Sequence, residues 1–391
     1  MNRKHINWKR ILLQLLKTLA VVGFSFLIVW GYAQIALNLS FLNPITEAVD
    51  NISFTDKYYQ MREEKESRLV TLVDLTELYD RGEIAQAIED IEACQPAVIG
   101  LDCVFEGEKP DVRADNAVRN VARSYDNIVF SYKLLDEQDD GTGYSRSIHS
   151  FFTDEMPVHE GVTNMKRDNL YNNIKRTLQL GWLLNGKKEL SLVGEVVNLY
   201  AGSEIVTAKH DDEKINFSPT VFTKVKPSEI FQHREQIEGR IVLFGALADE
   251  TDMHYTPLGK MAGVELLAYA TQTLLENKEI IKPSLWMQVL ISILLVIMTN
   301  ILQVTYLGWT SRSKSPIVFH VMGSTYVLGL VTFMWIVLIV GATFLCFGLY
   351  HVSIELKWTI AAMAFLSMSR STYAACEEYF KIWQERKQKK T

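Results

Sequence analysis

Three aspartates stand where short apolar runs end. Asp74 closes Leu69 to Leu75, Asp102 follows Ala97 to Leu101, and Asp252 lies in the polar loop after Ile241 to Phe244 and Gly245. The runs are short and rich in β-branched residues, which predicts buried strands. Ligands of open α/β sheets bind at the carboxyl edge of the strands, so these carboxylates would form an acidic pocket for a cation or for a cationic or hydroxylated ligand. His254 shares the loop of Asp252, and Arg176 is a candidate counter-ion. Each has a plainer role open to it: carboxylates cap helices and bind loop amides, and arginines decorate surfaces.

Other chemistry finds little support. There is no Gly-x-Ser-x-Gly, no His-Glu-x-x-His and no Ser-x-x-Lys in the soluble block. The eight histidines lack metal-ligand spacing. Gly245-Ala246-Leu247-Ala248 is too poor in glycine to cradle a phosphate. No catalytic residue, metal or cofactor is therefore expected, and the chain does not read as an enzyme.

The elements that must position the aspartates follow from periodicity. Leu69 to Leu75 is a strand. Ile84, Ala85, Ile88 and Ile91 then recur at helical spacing until Gln95-Pro96, because proline cannot continue a helix. Ala97 to Leu101 is the next strand, Ala114, Ala117, Val118 and Val121 mark a second helix, and Asn127 to Ser131 is a third strand. Alternating strands and helices predict an α/β domain whose mostly parallel sheet is flanked by helices. Residues 135 to 160 read as polar and irregular, with an exposed loop at 138–143. Leu190 to Tyr200 reads as a helix, and Glu204 to Lys209 with Lys214 to Phe217 as a strand pair. Cys94 and Cys103 flank an extended run too long for a bridge, so all four cysteines are expected as small buried residues or free thiols.

Charge is unevenly spread. Residues 40 to 282 hold 42 acidic against 26 basic side chains, whereas the rest of the chain holds 4 against 14. The acidic block makes nucleic acid an unlikely partner, and the basic residues sit beside long apolar runs, as expected of cytoplasmic flanks. About 20 apolar residues cross a bilayer. The expected layout is a cytoplasmic N-terminus (1–17), a first uncleaved span (18–39), an outer domain (40–283), three further spans (284–306, 318–349 and 352–376) and a basic cytoplasmic tail (377–391). The last span is the weakest, since Arg370 lies inside it and must snorkel. Four crossings put every basic cluster on the cytoplasmic side.

The stretch IVLFGALADETDMHYTPLG followed by AGVELLAYATQTLL resembles the closing motif of the CHASE type-2 family, extracytoplasmic sensor domains of bacterial membrane receptors. Gly245, Asp252, Thr256, Pro257, Gly259, Gly263, Val264, Glu265 and Ala268 stand in the matching places. Val73-Asp74, Ile99-Gly100-Leu101-Asp102, Asp115 and Asn127-Ile128-Val129 resemble its first half, and Gly161, Asn164, Ile174 and Arg176 its middle. The resemblance implies a receptor-like protein of the cytoplasmic membrane that senses an outside ligand. Family members usually carry a cytoplasmic output domain; here only a short tail follows the last span, so the expected partner is a separate signalling or assembly protein, with a homodimer also open. The alternative is a scaffold subunit whose outer domain docks a partner without sensing.

Overall fold

The computed structural model describes residues 8–38, 54–138, 143–165, 174–208, 212–276 and 280–388. Two units divide the chain: Asp56–Ile280, and a second made of Met1–Thr55 with Ile281–Thr391.

The first unit is built on five parallel strands in the order β10 (Thr220–Val225), β1 (Lys65–Asp74), β11 (Ile241–Gly245), β2 (Val98–Leu101) and β3 (Ile128–Glu137). Strand β5 (His159–Val162) joins β3 in parallel, and β4 (Tyr144–Ile148) joins it antiparallel, extending the sheet to β7 (Gly181–Leu184) and β8 (Lys187–Leu190). The mostly parallel α/β reading therefore holds for the core. Residues 135 to 160 are less irregular than their polarity suggests: β3 runs on to Glu137 and pairs with β4. Ladder hydrogen bonds satisfy a polar strand as well as an apolar one, and the burial pattern of β4 shows why periodicity missed it, since no face is fully buried.

Helices α3 (Arg81–Glu92) and α4 (Val112–Ser124) cover one face of the sheet. Asp80 caps the first by accepting from the Gly82 amide at 2.7 Å, and Asp111 caps the second. Ile84, Ile88 and Ile91 of α3 and Val118 and Val121 of α4 pack with Ile99, Leu101, Phe130, Val242 and Phe244. Each such buried side chain contributes about 1.5–3 kcal/mol relative to exposure. Asp115, buried in α4, pairs with Arg81 at 2.5 Å and accepts from the Lys109 amide at 2.7 Å. Helices α5 (Leu192–Ala201) and, after the short α6 (Arg234–Ile237), α7 (Gly263–Leu275) pack with each other and on β1, β2 and β11. Between α5 and β10 the expected strand pair does not form. Residues 204–208 are not extended into a ladder, because Asn198 ties the Ile205 and Val206 amides back to α5. The short β9 (Asp212–Lys214) instead pairs with β6 (Thr177–Gln179). The tip of the 138–143 loop, at 139–142, lies outside the described residues.

Among the described residues, three helices are long and apolar enough to cross a membrane: the span Leu13–Tyr32 within α1 (Trp8–Asn38), α8 (Leu285–Arg312) and α9 (Thr325–Tyr350). The stretch expected as a single fourth span is broken. Residues 351–356 lie outside any helix, with the Ser353 amide donating to the Ile281 carbonyl at 3.0 Å, and α10 (Lys357–Ala364) passes through a turn at Phe365 into α11 (Leu366–Gln388). Val21, Val22 and Val29 of α1 pack with Val296 of α8, Ile339 of α9, and Ala362, Met363 and Leu366. All four cysteines are free.

Candidate functional site

Parallel register sets Asp74 and Asp102 on either side of Gly245. Asp74 is the Cα partner of Gly245, Phe244 that of Leu101, and the Asp102 amide donates to the Phe244 carbonyl at 2.9 Å. The loop after Gly245 turns through Asp249, whose side chain accepts from the Thr251 amide at 2.8 Å, to Asp252. Strands β12 (Met253–Thr256) and β13 (Gly259–Ala262) then form an antiparallel ribbon that delivers the chain to α7.

The Thr-Pro-x-Gly motif makes that ribbon's turn. The Thr256 hydroxyl donates to the Gly259 carbonyl at 2.8 Å and accepts from the Leu258 amide at 3.2 Å, while Gly259 holds φ +117°, open only to glycine in practice. The Pro257 carbonyl accepts from Gln60 of α2 (Phe54–Gln60) at 2.9 Å. Glu265 caps α7 from inside, accepting from the Ala262 amide at 3.2 Å and pairing with Lys224 at 2.6 Å. Gly263 opens α7 directly against Asp252: a Cβ there would meet the Asp252 Oδ2 and lie 2.8 Å from its Cγ. The motif glycine thus lets a carboxylate rest on the first turn of a helix, where the dipole favours negative charge.

Asp102 and Asp252 come together. The Thr163 hydroxyl donates to Asp102 Oδ1, and burial pushes the Asp102 carboxyl above the ordinary aspartate range. The Thr163 bond opposes that shift, the charge of Asp252 adds to it, and Lys133 and His254 counter it. His254 Nε2 lies 3.3 Å from Asp252 Oδ1. The cluster is therefore two carboxylates within reach of each other's charge, Asp102 the more desolvated, with the charges of His254 and Lys133 and the Thr163 hydroxyl acting on Asp102. Such a set can take up a proton or hold a polar ligand by charge-assisted hydrogen bonds.

Asp74 is employed differently. Its Oδ1 accepts from the Thr76 hydroxyl at 2.5 Å and from the Thr76 and Leu247 amides at 3.0 Å. Burial disfavours its charge, but these bonds and the charge of Lys226 outweigh it and hold the carboxyl below its usual range. Arg176 is also drawn elsewhere: its Nη2 lies 2.6 Å and its Nε 3.1 Å from the carboxylate of Asp56. Sequence reading did not single out Lys133, Thr163 or Asp56. Thr163 stood within the Gly161 to Asn164 turn, which was legible, but Lys133 lies on the part of β3 beyond the recognised run. Among the described residues no three or more His, Cys, Asp or Glu gather as a metal ion would need.

The sequence matches the CHASE2 domain over residues 25–303, and the chain belongs to that family, whose domain is of the extracytoplasmic sensor type. No curated protein matches it, and no solved structure does.

Proposed function

We propose that this chain is a multi-pass receptor of the cytoplasmic membrane whose outer α/β domain binds a small polar ligand at Asp102, Asp252 and His254. The bound state is passed through the membrane helices to a separate signalling protein. The observation that supports this most is the convergence of Asp102 and Asp252 beside the first turn of α7, the last described helix of the outer unit before α8. Two carboxylates that feel each other's charge are a poor structural choice unless something is gained from their repulsion, and a ligand donor or proton would relieve it. Four crossings, with α10 and α11 together forming the last, keep Arg312, Lys314 and the basic residues after Lys381 on the cytoplasmic side. The role read here is binding rather than catalysis.

The test is a thermal-shift screen of the purified full chain against amino, polyamine and sugar compounds. A compound that raises the midpoint for the native chain and for Asp74→Asn, but for neither Asp102→Asn nor Asp252→Asn, supports the site. Shifts that survive both of the latter substitutions reject it.

A further inference from the structure

Among the described residues, Arg370 lies among the membrane helices without a carboxylate partner. Arg370 of α11 donates through Nη2 to Gln303 Oε1 of α8, Gln303 Nε2 donates to Thr332 Oγ1 of α9 at 2.8 Å, and the Thr332 hydroxyl donates to the Leu328 carbonyl at 2.9 Å. This chain ties three helices together. Arg370 makes no ion pair among the described residues, and its Nε is buried without an acceptor. Three residues earlier on α8, Asn300 is 5% exposed, and its Oδ1 is buried without a donor.

Positions three apart on a helix are neighbours on one face, about 5–6 Å between Cβ atoms. Asn300 and Gln303 both belong to the buried stripe of α8, with Val296 and Thr299. An unmet donor and an unmet acceptor thus flank an occupied hydrogen bond. Inside a bilayer, where no water competes, such a pair is a strong demand for contact.

We propose that Arg370 has two seats on α8, Gln303 and Asn300, and that it exchanges one amide oxygen for the other. The seats are three residues apart, so the exchange corresponds to a step of about 4.5 Å along the helix. That step is taken by the arginine's long stem, by a slide of α8 against α11, or by both. Packed helices respond in discrete steps of this kind rather than by continuous deformation. The exchange deepens the relay reading, since α8 is the first long helix after the outer unit, and it rests on that reading for its purpose alone.

Asn300→Asp in the full chain decides the matter. With a second seat in reach, the new carboxylate recruits Arg370, and the unfolding midpoint in detergent at neutral pH rises by about 3 °C or more. Gln303→Leu lowers the midpoint of the native chain through the loss of both its Arg370 and its Thr332 bonds, and it costs less on the Asn300→Asp background, where only the Thr332 bond is lost. Adding Arg370→Met abolishes the gain. With a single seat, the same substitution buries an unpaired acid: the midpoint falls or the chain does not fold, and either result overturns the proposal. If the two-seat result is obtained while hydrogen exchange in α8 ignores Asp102→Asn, the exchange of seats stands and the relay reading falls.

Discussion

Asp74 and Asp102 close strands on opposite sides of Gly245 and are alike in sequence, each ending an apolar run, yet they are held in opposite electrostatic states. Asp74 meets three donors within its own loop and the next, which fixes it as an anion that pins the β11 loop to β1. Asp102 meets the Thr163 hydroxyl and then a second carboxylate. A strand-end aspartate is thus made structural or poised by what the following loops bring to it, not by its place at the sheet edge.

The largest break in the comparison comes from Asp74→Ala. It leaves the Thr76 amide without its acceptor and the Leu247 amide with the Thr76 hydroxyl alone, and it should lower the stability of the outer unit by about 2 kcal/mol. Amide hydrogen exchange in β1 and β11 of the full chain reads that loss directly. Gly263→Ala comes next. Its methyl group displaces Asp252 from the first turn of α7, costing about 2 kcal/mol. Val264→Ala, one residue on, removes buried volume without touching Asp252, so it separates loss of packing from displacement of that carboxylate: a Gly263→Ala deficit that exceeds that of Val264→Ala marks the Asp252 contact.

The sheet was legible because its strands are buried on both faces, so the apolar runs of β1, β2 and β11 stand out against their flanks. The helices α3 and α4 were legible from spacing alone, which picks out the buried Ile84, Ala85, Ile88, Ile91, Ala114, Val118 and Val121 but also the half-buried Ala117, and misses the buried Arg81, Ala87, Asp115 and Ala122. The meeting of Asp102 with Asp252 was legible only as a shared edge. What the carboxylates do there depends on Thr163 and Lys133, brought in by β5 and β3 from 30 or more residues away in sequence, and no local pattern encodes such a contact. The turn at Phe365, across which the Phe365 amide still donates to the Ala361 carbonyl and the Ser369 amide to that of Phe365, leaves no mark in the sequence for a related reason: apolar content reports that a stretch avoids water, not where its helix turns.

The smallest effect, and the sharpest, is that of Asp102→Asn. The substitution keeps an acceptor for Thr163 and removes a desolvated acid that the charge of Asp252 further disfavours, so at pH 7 the outer unit should be unchanged or slightly more stable, by about 1 kcal/mol or less. Asp74→Asn, by contrast, destabilises. The two should also part company with pH. A carboxyl held below its ordinary value adds stability above the unfolded value near 3.9 and loses it as pH falls through the folded value, so the deficit of Asp74→Asn shrinks only in strong acid. A carboxyl held above its ordinary value favours the fold below the unfolded value, and that advantage is lost as pH rises through the folded value. The native chain should therefore close its gap to Asp102→Asn at a higher pH than Asp74→Asn closes its gap to the native chain. Hydrogen exchange in β2 and β11 across that range reads both crossings in one experiment. If the two variants instead converge on the native chain at the same pH, the carboxylates are not in opposite states, and the distinction between a pinned and a poised aspartate is lost.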